Sequence, residues 1–384
     1  MVAVGTRPEA IKLAPLVSAL RSARNGFDVH LWVSGQHREM APAMLDVFGL
    51  PANSTTTLPH GLDPPALYAE LLRSASETLN RIEPDLLIVQ GDTATCAAAA
   101  QAAFLAKVSV GHVEAGLRTG NRRNPFPEEY FRRQVAIGAD WHFAPTAAAR
   151  VALEREGVSP AHILVTGNTG IDALVGICGR IDRGEIVTPP IMGGEPIILA
   201  TLHRRESLGE GHRAIATALA LLADRHAVRV ILPVHPNPAV MAAIADVLGN
   251  HPRVSLIEPL DYPAFVAVMR QATLIVTDSG GIQEEAPTLK VPVLVARETT
   301  ERPEATDAGT AILVGTSTAR IVGEAERLLG DPAARAAMTA RGNPFGDGRA
   351  TARIMAGLTA IVAGDPLPLD WSPDHATSAA GRRA

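Results

Sequence analysis

The chain has 384 residues, 47% of them hydrophobic and 20% charged, which is the composition of a globular protein long enough for two domains. Its net charge is −5 and its pI is near 6.2, which argues against a broad nucleic-acid surface because such surfaces are basic. The sequence contains neither a signal-peptide pattern nor an apolar run of about 18 residues, so we expect a cytoplasmic protein without membrane association.

Short apolar runs alternate with helical patterns along the chain, which predicts an α/β fold with two parallel sheets covered by helices on both faces. The predicted strands of the first half are Val2–Val4, Val29–Val33, Leu86–Gln90, Val108–Gly111, His142–Ala144 and Ile163–Thr166. Those of the second half are Ile197–Thr201, Val228–Leu232, Val254–Ile257, Leu274–Thr277, Val293–Ala296 and Ile312–Val314. Helical patterns between them include Ile11–Ser22, Thr93–Ala106 and Thr146–Glu156.

The predicted boundary between the two domains follows Gly167, giving domains over 1–167 and 168–348. The segment Gly184–Pro196 is rich in proline and glycine and is interpreted as a linker or loop. Residues 363–384 lack periodicity, and we expect them to form a flexible tail.

Unusual polar clusters directly follow several predicted strands. In the first half these are GTRPE, GDT and HVEAGLRTG, and in the second half HRRES, HPN and DSGGIQEE. Ligands of doubly wound sheets bind beyond the carboxyl ends of the strands. The sequence therefore predicts two sheets that face a central cleft lined from both halves.

The second half carries a glycine-rich turn at Ser279, Gly280 and Gly281. Taken alone, this turn is typical of any strand-to-helix connection, although its backbone N–H groups could also bind phosphate. Cationic and donor side chains near other strand ends favour a diphosphate site; they are Arg7, Lys12, His203, His235 and Arg302. Glu285 is placed to accept hydrogen bonds from the ribose hydroxyls of a nucleotide.

The first half supplies three carboxylates at predicted strand or helix ends, Asp92, Glu114 and Glu128. Each alone could cap a helix. Three around one cleft indicate general acid–base catalysis, worth roughly 10²–10⁴-fold for each positioned group. Burial and mutual repulsion are expected to raise some of their pKa values toward neutrality. The sequence leaves open which carboxylate is the acid and which the base.

The sequence indicates no cofactor. It contains neither a GxGxxG fingerprint nor a P-loop, so neither NAD nor ATP is predicted. Cys96 and Cys178 lie far apart without metal-ligand spacing and are interpreted as buried free thiols. We therefore predict no metal site.

The motifs resemble those of the bacterial non-hydrolysing UDP-N-acetylglucosamine 2-epimerases, in order and from about Gly5 to Ala350. They are GTRPEAIKLAPL, SGQHREM, VQGDT, GHVEAGLRTG, PFPEE, FAPT, TGNTGIDAL, HRRES, PVHPN, EPLDY, TDSGGIQEEAP, RETTERPEA and GNPFGDGRA. The resemblance implies the glycosyltransferase-B architecture of two Rossmann-like domains. It also implies that a final helix, over 349–362, packs back on the first domain.

The family's reaction implies an isomerase that needs no redox cofactor. UDP leaves C1 of UDP-N-acetylglucosamine while a base removes the C2 proton, which gives a 2-acetamidoglucal. Protonation from the opposite face and re-addition of UDP then give UDP-N-acetylmannosamine. The resemblance also implies a homodimer formed through the first domain.

The resemblance implies roles for particular residues. Asp92, Glu114 and Glu128 form the acid–base group, and His203 assists the departure of UDP. Phe265 is implied to stack on uracil, although its helical spacing, taken alone, favours a core aromatic side chain. The residues implied in holding the nucleotide sugar are Arg7, Lys12, His235, Ser279, Gly280, Gly281, Glu285 and Arg302. A second, allosteric UDP-sugar site found in some members is associated with motifs matched here at Gln36, His37 and Arg205.

Two departures from the family pattern bear on the substrate. Leu202 stands where the family has glycine before HRRES, and Phe131 stands where it has asparagine. Both keep open an epimerase for a modified UDP-sugar such as a diacetamido uronic acid. The sequence is also compatible with a hydrolysing 2-epimerase, with a non-catalytic nucleotide-sugar binder and with a glycosyltransferase.

Overall fold

The computed structural model describes residues 1–22, 26–188, 194–202, 209–234 and 238–373. The chain divides into two compact units, one of Met1–Ala173 with the chain from Phe345 onward, the other of Leu174–Pro344. Each unit contains one sheet whose strands are all parallel. None of the helices in the described ranges is long and apolar enough to cross a membrane.

The first unit contains a sheet with the strand order β3-β2-β1-β4-β5-β6-β7. Its strands are β1 (Val2–Val4), β2 (Leu31–Val33), β3 (Ser54–Thr55), β4 (Leu86–Gln90), β5 (Ser109–Val113), β6 (Trp141–Ala144) and β7 (Ile163–Val165). Its helices are α1 (Arg7–Arg21), α2 (Met40–Val47), α3 (Pro64–Ile82), α4 (Ala94–Leu105), α5 (Glu128–Gly138) and α6 (Ala147–Arg155). Helix α7 (Thr169–Asp182) contains the boundary between the units.

The second unit contains a sheet with the strand order β10-β9-β8-β11-β12-β13. Its strands are β8 (Ile197–Thr201), β9 (Arg229–Pro233), β10 (Val254–Ile257), β11 (Leu274–Thr277), β12 (Val293–Val295) and β13 (Ala311–Leu313). Its helices are α8 (Glu210–Arg225), α9 (Pro238–Leu248), α10 (Tyr262–Gln271), α11 (Gly280–Glu285), α12 (Pro303–Asp307), α13 (Thr318–Gly330) and α14 (Pro332–Thr339).

Both sheets have the doubly wound strand order of Rossmann folds. The first three strands are added toward one edge of the sheet, and from the fourth strand onward they are added toward the other edge. In the first unit this switch lies between β1 and β4, and in the second between β8 and β11. Strands such as β1 and β11 are buried along their whole length, which explains why they appear in the sequence as continuous apolar runs.

The predicted strands agree with the observed ones apart from shifts of a residue or two at their ends. Strand β3 was not predicted, because its two residues, Ser54 and Thr55, carry no apolar run. Gly184–Pro196 lies within the second unit, where its described parts, 184–188 and 194–196, contain no helix or strand. The chain on both sides of this segment belongs to the second unit, so the segment does not connect the two units.

The chain after the second unit returns to the first. Helix α15 (Ala350–Ala363) begins where Asp172 accepts hydrogen bonds from the N–H groups of Ala350 (3.1 Å) and Thr351 (2.8 Å). Later in this helix, Gly357 lies against Leu164 and Phe143, where a Cβ would come within 3.0 Å of Leu164.

The first part of the expected flexible tail is ordered. Asp370 accepts a hydrogen bond from the Val165 N–H (2.7 Å) and pairs with Arg150 (2.6 Å), and the Trp371 side chain is buried. The prediction over 363–384 is therefore wrong for this part, because one aspartate and one tryptophan anchor a segment that has no periodicity. Residues 374–384 lie outside the described chain.

Candidate active site

The turn after β1 carries Arg7, the first residue of α1. Thr6 caps the helix, and Glu9 accepts hydrogen bonds from the N–H groups of Gly5 (2.9 Å) and Thr6 (2.7 Å) in a capping box. A Cβ on Gly5 would lie 2.0 Å from Oγ1 of Thr95, so only glycine fits at this turn. These contacts hold the half-buried Arg7 at the switch point of the sheet.

The turn after β4 carries Asp92 at the other side of this switch point. Two guanidinium nitrogens of Arg132, on α5, lie 2.7 and 2.6 Å from Oδ2 of Asp92. The same guanidinium lies 3.2 Å from Oε2 of Glu129, whose side chain is fully buried. Glu129 in turn accepts hydrogen bonds from the N–H groups of Thr119 (3.0 Å) and Gly120 (3.2 Å). Asp92 is therefore oriented by a buried ion-pair network.

Glu114 follows β5 and adopts a left-handed backbone conformation with φ of 64°, which is uncommon for a residue other than glycine. Its Oε2 atom forms an ion pair with Lys12 of α1 and accepts a hydrogen bond from the Asn168 side chain (3.0 Å). Asn168 is fixed by its own acceptor contact with the Gly170 N–H (2.8 Å). The predicted residues Lys12 and Glu114 thus come together although they are far apart in sequence.

Glu128 is the first residue of α5 and is half-buried. It is adjacent to Glu129, which belongs to the network that holds Asp92. The two neighbouring glutamates of PFPEE therefore have different environments. Glu129 is a buried structural acceptor, whereas Glu128 lies at the N-terminus of the helix whose Arg132 contacts Asp92.

The Gly91–Thr93 turn is also held by two residues that the sequence did not single out. Nε2 of His112 lies 2.8 Å from the carbonyl oxygen of Gly91, and burial lowers the pKa of His112 to about 3. The imidazole is therefore neutral and donates this hydrogen bond. The hydroxyl of Thr93 donates to Oε1 of Glu9 (2.6 Å). Burial raises the pKa of Glu9 from 4.5 to about 7. A near-neutral carboxyl pKa was expected among Asp92, Glu114 and Glu128, and it is found at Glu9.

These supporting residues could have been found from the sequence only in part. The family motifs contain four of them, Glu9, His112, Glu129 and Asn168. Considering every polar side chain of each motif as a possible donor or acceptor would therefore have included them. Arg132 lies just after PFPEE. Its pairing with Asp92 is set by the position of α5 relative to β4, which no local pattern indicates.

Gln36 and His37 follow β2, the strand next to β1. The side-chain oxygen of Gln36 accepts hydrogen bonds from the Thr95 N–H (3.0 Å) and hydroxyl (2.8 Å). Nδ1 of His37 accepts from the Arg7 N–H at 3.4 Å, and burial lowers the pKa of His37. His37 thus joins the turn after β2 to the turn that carries Arg7, and Gln36 joins it to the first turn of α4.

In the second unit, the glycine-rich turn follows β11 as predicted, with Ser279 at the N-cap of α11. The Ser279 N–H donates to the hydroxyl of Thr277 (2.9 Å), and Gly281 is exposed. Glu285, at the end of α11, accepts a hydrogen bond from the hydroxyl of Tyr262 (3.2 Å). Phe265 lies on α10, one turn after Tyr262, and is half-buried rather than part of the buried core.

Arg302 is buried in the second unit, where its guanidinium forms an ion pair with Glu284. Asn343 supports this arrangement through a hydrogen bond to the carbonyl oxygen of Glu284 (2.7 Å). Arg302 is thus fixed beside α11, the helix that begins at the glycine-rich turn.

Three predicted site residues, His203, Arg205 and His235, lie outside the described residues. Leu202, just before them, is described: its side chain is 1% exposed and belongs to the hydrophobic core of the second unit. Phe131 stacks on Tyr68 with ring centroids 5.6 Å apart and packs against the core of the first unit. Both departures from the family pattern are therefore packing residues.

Two Rossmann-like units in one chain, each with polar turns at the switch between its first and fourth strands, define a protein of the glycosyltransferase-B fold class. The sequence model of the UDP-N-acetylglucosamine 2-epimerase family matches residues 19–359. The chain belongs to this family of isomerases, which confirms the resemblance seen in its motifs.

Individual relatives agree over nearly the whole chain. The UDP-N-acetylglucosamine 2-epimerase of Salmonella typhimurium is 45% identical over 92% of this chain and 96% of its own. That of Bacillus subtilis is 42% identical over 92% of this chain and 93% of its own. The crystal structure of UDP-GlcNAc 2-epimerase from Neisseria meningitidis bound to UDP-GlcNAc has a TM-score of 0.87 and 38% identity, covering 94% of this chain and 99% of that one.

Proposed function

We propose that this protein catalyses the reversible epimerisation of UDP-N-acetylglucosamine and UDP-N-acetylmannosamine at C2, without hydrolysis. The observation that supports this most directly lies in the first unit. Asp92 and Glu114 follow the neighbouring strands β4 and β5, and each is paired with a cation, Arg132 or Lys12. Two oriented carboxylates at adjacent strand ends suit proton transfer on opposite faces of one sugar carbon.

The proposed reaction is an elimination followed by an addition. A carboxylate takes the C2 proton, the C2–H electron pair forms the C1–C2 double bond, and the C1–O bond breaks toward UDP. The 2-acetamidoglucal then receives a proton on the other face of C2, and a UDP oxygen re-forms the bond to C1. Electrons and protons balance without an external redox partner.

Within the first unit, Asp92, Glu114 and Glu128 form the proposed acid–base group. Lys12, paired with Glu114, and Arg7, beside the capping box, are proposed to bind the substrate and its phosphates. Cationic groups there would stabilise the charge that develops on the leaving diphosphate.

Within the second unit, the backbone of Ser279, Gly280 and Gly281 is proposed to hold the diphosphate. Glu285, positioned by Tyr262, would accept hydrogen bonds from the ribose, and Phe265 would stack on the uracil ring. Arg302 is proposed to support the nucleotide site through its ion pair with Glu284. His203 and His235 are proposed as phosphate partners, and His203 would assist the departure of UDP.

Gln36, His37 and Arg205 are proposed to bind a second UDP-sugar as activator. Gln36 and His37 contact the Thr95 and Arg7 backbone, so a ligand bound beside them would reach the Arg7 turn. Sigmoidal dependence of the rate on UDP-N-acetylglucosamine would support this role, and a hyperbolic dependence in both directions would contradict it.

The modified-sugar alternative loses its main support in the structure. Leu202 and Phe131, the two departures that favoured it, both pack into hydrophobic cores. A non-catalytic binder is also disfavoured, because carboxylates near an anionic ligand reduce its affinity and a protein that only bound the ligand would gain nothing from them.

A homodimer formed through the first unit is proposed from its exposed apolar side chains. Phe104 and Leu105 at the end of α4 are 63% and 69% exposed, and Ile137 on the neighbouring α5 is 87% exposed. Sedimentation over a concentration series tests this, and a strictly monomeric protein at all concentrations would contradict it.

The test of the reaction is incubation with UDP-N-acetylglucosamine in deuterated water without an acceptor. We expect deuterium at C2 and a mixture of the two intact UDP-sugars. Release of free N-acetylmannosamine would identify a hydrolase, and absence of label would favour a binder or a glycosyltransferase. A panel of UDP-sugars, including diacetamido uronic acids, tests the substrate assignment in the same assay.

A further inference from the structure

Glu9 is a fully buried carboxyl to which the proposed reaction gives no role. Its two oxygens contact different turns of the sheet. Oε2 accepts from the N–H groups of Gly5 and Thr6, next to Arg7, while Oε1 is bonded to the hydroxyl of Thr93, next to Asp92. One side chain thus joins the turn after β1 to the turn after β4.

These two turns flank the switch point of the first sheet, between β1 and β4. Strand pairing between them is short, because only Val2 and Ile88 are registered as partners. Both turns lie beyond this pairing, so side chains there can hold the two turns together. Glu9 is well suited to this, because it lies on α1 and its bond to Thr93 spans 84 residues of sequence.

The carboxyl at this position forms three hydrogen bonds but also carries a cost of burial. Burial raises the pKa of Glu9 to about 7, which means that its ionised form is disfavoured by the fold. An apolar side chain would avoid that cost, but it would leave the Gly5 and Thr6 N–H groups and the Thr93 hydroxyl without this acceptor. The value of the carboxyl therefore lies in the three hydrogen bonds that join the two turns. The titratable groups around it are Arg7 and Lys12 on its own helix, His37 after β2, Asp92 and Cys96 after β4, and Glu114 after β5.

The Glu9–Thr93 bond is compatible with either charge state of Glu9. The ionised carboxylate accepts from the Thr93 hydroxyl, whereas a protonated Oε1 can donate to it, because a hydroxyl is both donor and acceptor. Glutamine at position 9 can likewise accept the two backbone N–H groups with its oxygen and donate to Thr93 with its amide nitrogen.

We propose that Glu9 is a positioning residue that locks the Arg7 turn to the Asp92 turn. The group proposed to bind phosphate and the group proposed to transfer the proton are thereby kept at a fixed separation. The inference rests on the proposed epimerase function, because it assigns Arg7 and Asp92 to the two halves of one reaction. Glu9 acts through these turns and transfers no proton itself.

The experiment uses the full chain with the variants E9Q, T93V, T93S and T146V. Thr93 caps α4 by accepting from the Cys96 N–H (3.0 Å), and Thr146 caps α6 in the same way from the Ala149 N–H (3.2 Å). T146V therefore removes an equivalent helix cap without touching Glu9, and it is the matched control for T93V.

The first readout is turnover, measured as C2 deuterium incorporation, together with the Kd for UDP. We expect T93V to lower kcat about 10- to 100-fold while the Kd for UDP stays within about twofold. E9Q and T93S should retain most of the wild-type kcat, and T146V should match wild type. If E9Q lowers kcat as much as D92N does, Glu9 is a proton-transfer group and the proposal is overturned. If T93V and T146V have equal kcat, Thr93 is only a helix cap, and the proposal is overturned as well.

The second readout is hydrogen exchange of the Gly5 and Thr6 amides, which Glu9 binds directly. We expect both to exchange faster in T93V than in T146V, although neither substitution lies in that turn. Unchanged exchange would refute the lock. This readout does not depend on turnover. If the wild-type protein shows no C2 exchange, the proposed reaction is rejected, but amide exchange still tests whether Glu9 joins the two turns.

Discussion

Replacing Arg132 with methionine tests whether the buried network orients Asp92. The guanidinium is the cationic partner of Asp92, at 2.6 Å, and of the fully buried Glu129, at 3.2 Å. Methionine keeps an unbranched side chain and the helix propensity of α5 but removes the guanidinium group and its charge. Asp92 then loses both guanidinium contacts, and Glu129 keeps the N–H groups of Thr119 and Gly120.

The expected cost follows from this geometry. Removing one partner of a buried ion pair costs about 3–5 kcal/mol, and we expect the lower end, about 3 kcal/mol, because the Asp92 side chain is 24% exposed. For a unit of this size, that corresponds to a fall in Tm of about 6–12 °C. Since Asp92 also loses its orientation, kcat should fall about 10²-fold.

Arg133→Met is the matched control. Arg133 is adjacent on the same helix, is 37% exposed and lies 3.4 Å from the same Glu129. An exposed contact of this length contributes about 0–1 kcal/mol. Calorimetry and the C2 deuterium assay are run on both variants and the wild type. If Arg132→Met unfolds and turns over like Arg133→Met, Arg132 does not hold Asp92 and the network has no catalytic role.

Three further predictions concern the carboxylates, the substrate and pH. Asp92→Asn, Glu114→Gln and Glu128→Gln should each lower kcat by about 10²–10⁴-fold with UDP affinity retained in calorimetric titration, and three near-wild-type rates would reject the acid–base assignment. Leu202→Ala should cost about 2–5 kcal/mol in thermal unfolding and leave the preference among UDP-sugars unchanged, whereas altered preference at unchanged Tm would place Leu202 at the ligand. Because burial raises the pKa of Glu9 from 4.5 to about 7, its stability contribution is present below pH 4.5 and is lost as pH rises through 7. E9Q should therefore gain stability relative to wild type between pH 5 and pH 8, by at most about 3 kcal/mol, and a constant difference in Tm would contradict this.

Much of the fold could be predicted because parallel strands are buried on both faces and therefore leave continuous apolar runs. Leu274–Thr277 and Leu86–Gln90 were located to the residue for this reason. Strand β3 was missed because an edge strand of two polar residues has no such signal. The ordered segment at Asp370 and Trp371 was missed because it is anchored by tertiary contacts and not by any periodic pattern.

The direction of a side chain was the least predictable property of the site. Leu202 was expected near the ligand because it stands beside HRRES, but its side chain points into the core. Residues at the end of a strand alternate between the ligand side and the packed side, and the local twist decides which side each one takes. A one-residue difference in register is enough to reverse the expectation.

The two parallel sheets, the polar turns that follow their strands, and the family can all be recognised from the sequence. These properties are local, because hydrophobic periodicity and short motifs are carried by neighbouring residues. Which side chains meet depends on how the whole chain folds: Lys12 contacts Glu114 across 102 residues, Glu9 contacts Thr93 across 84, and Arg132 contacts Asp92 across 40. Such pairs depend on strand order and helix position, which arise from packing the whole sheet and leave no trace in any short stretch of sequence.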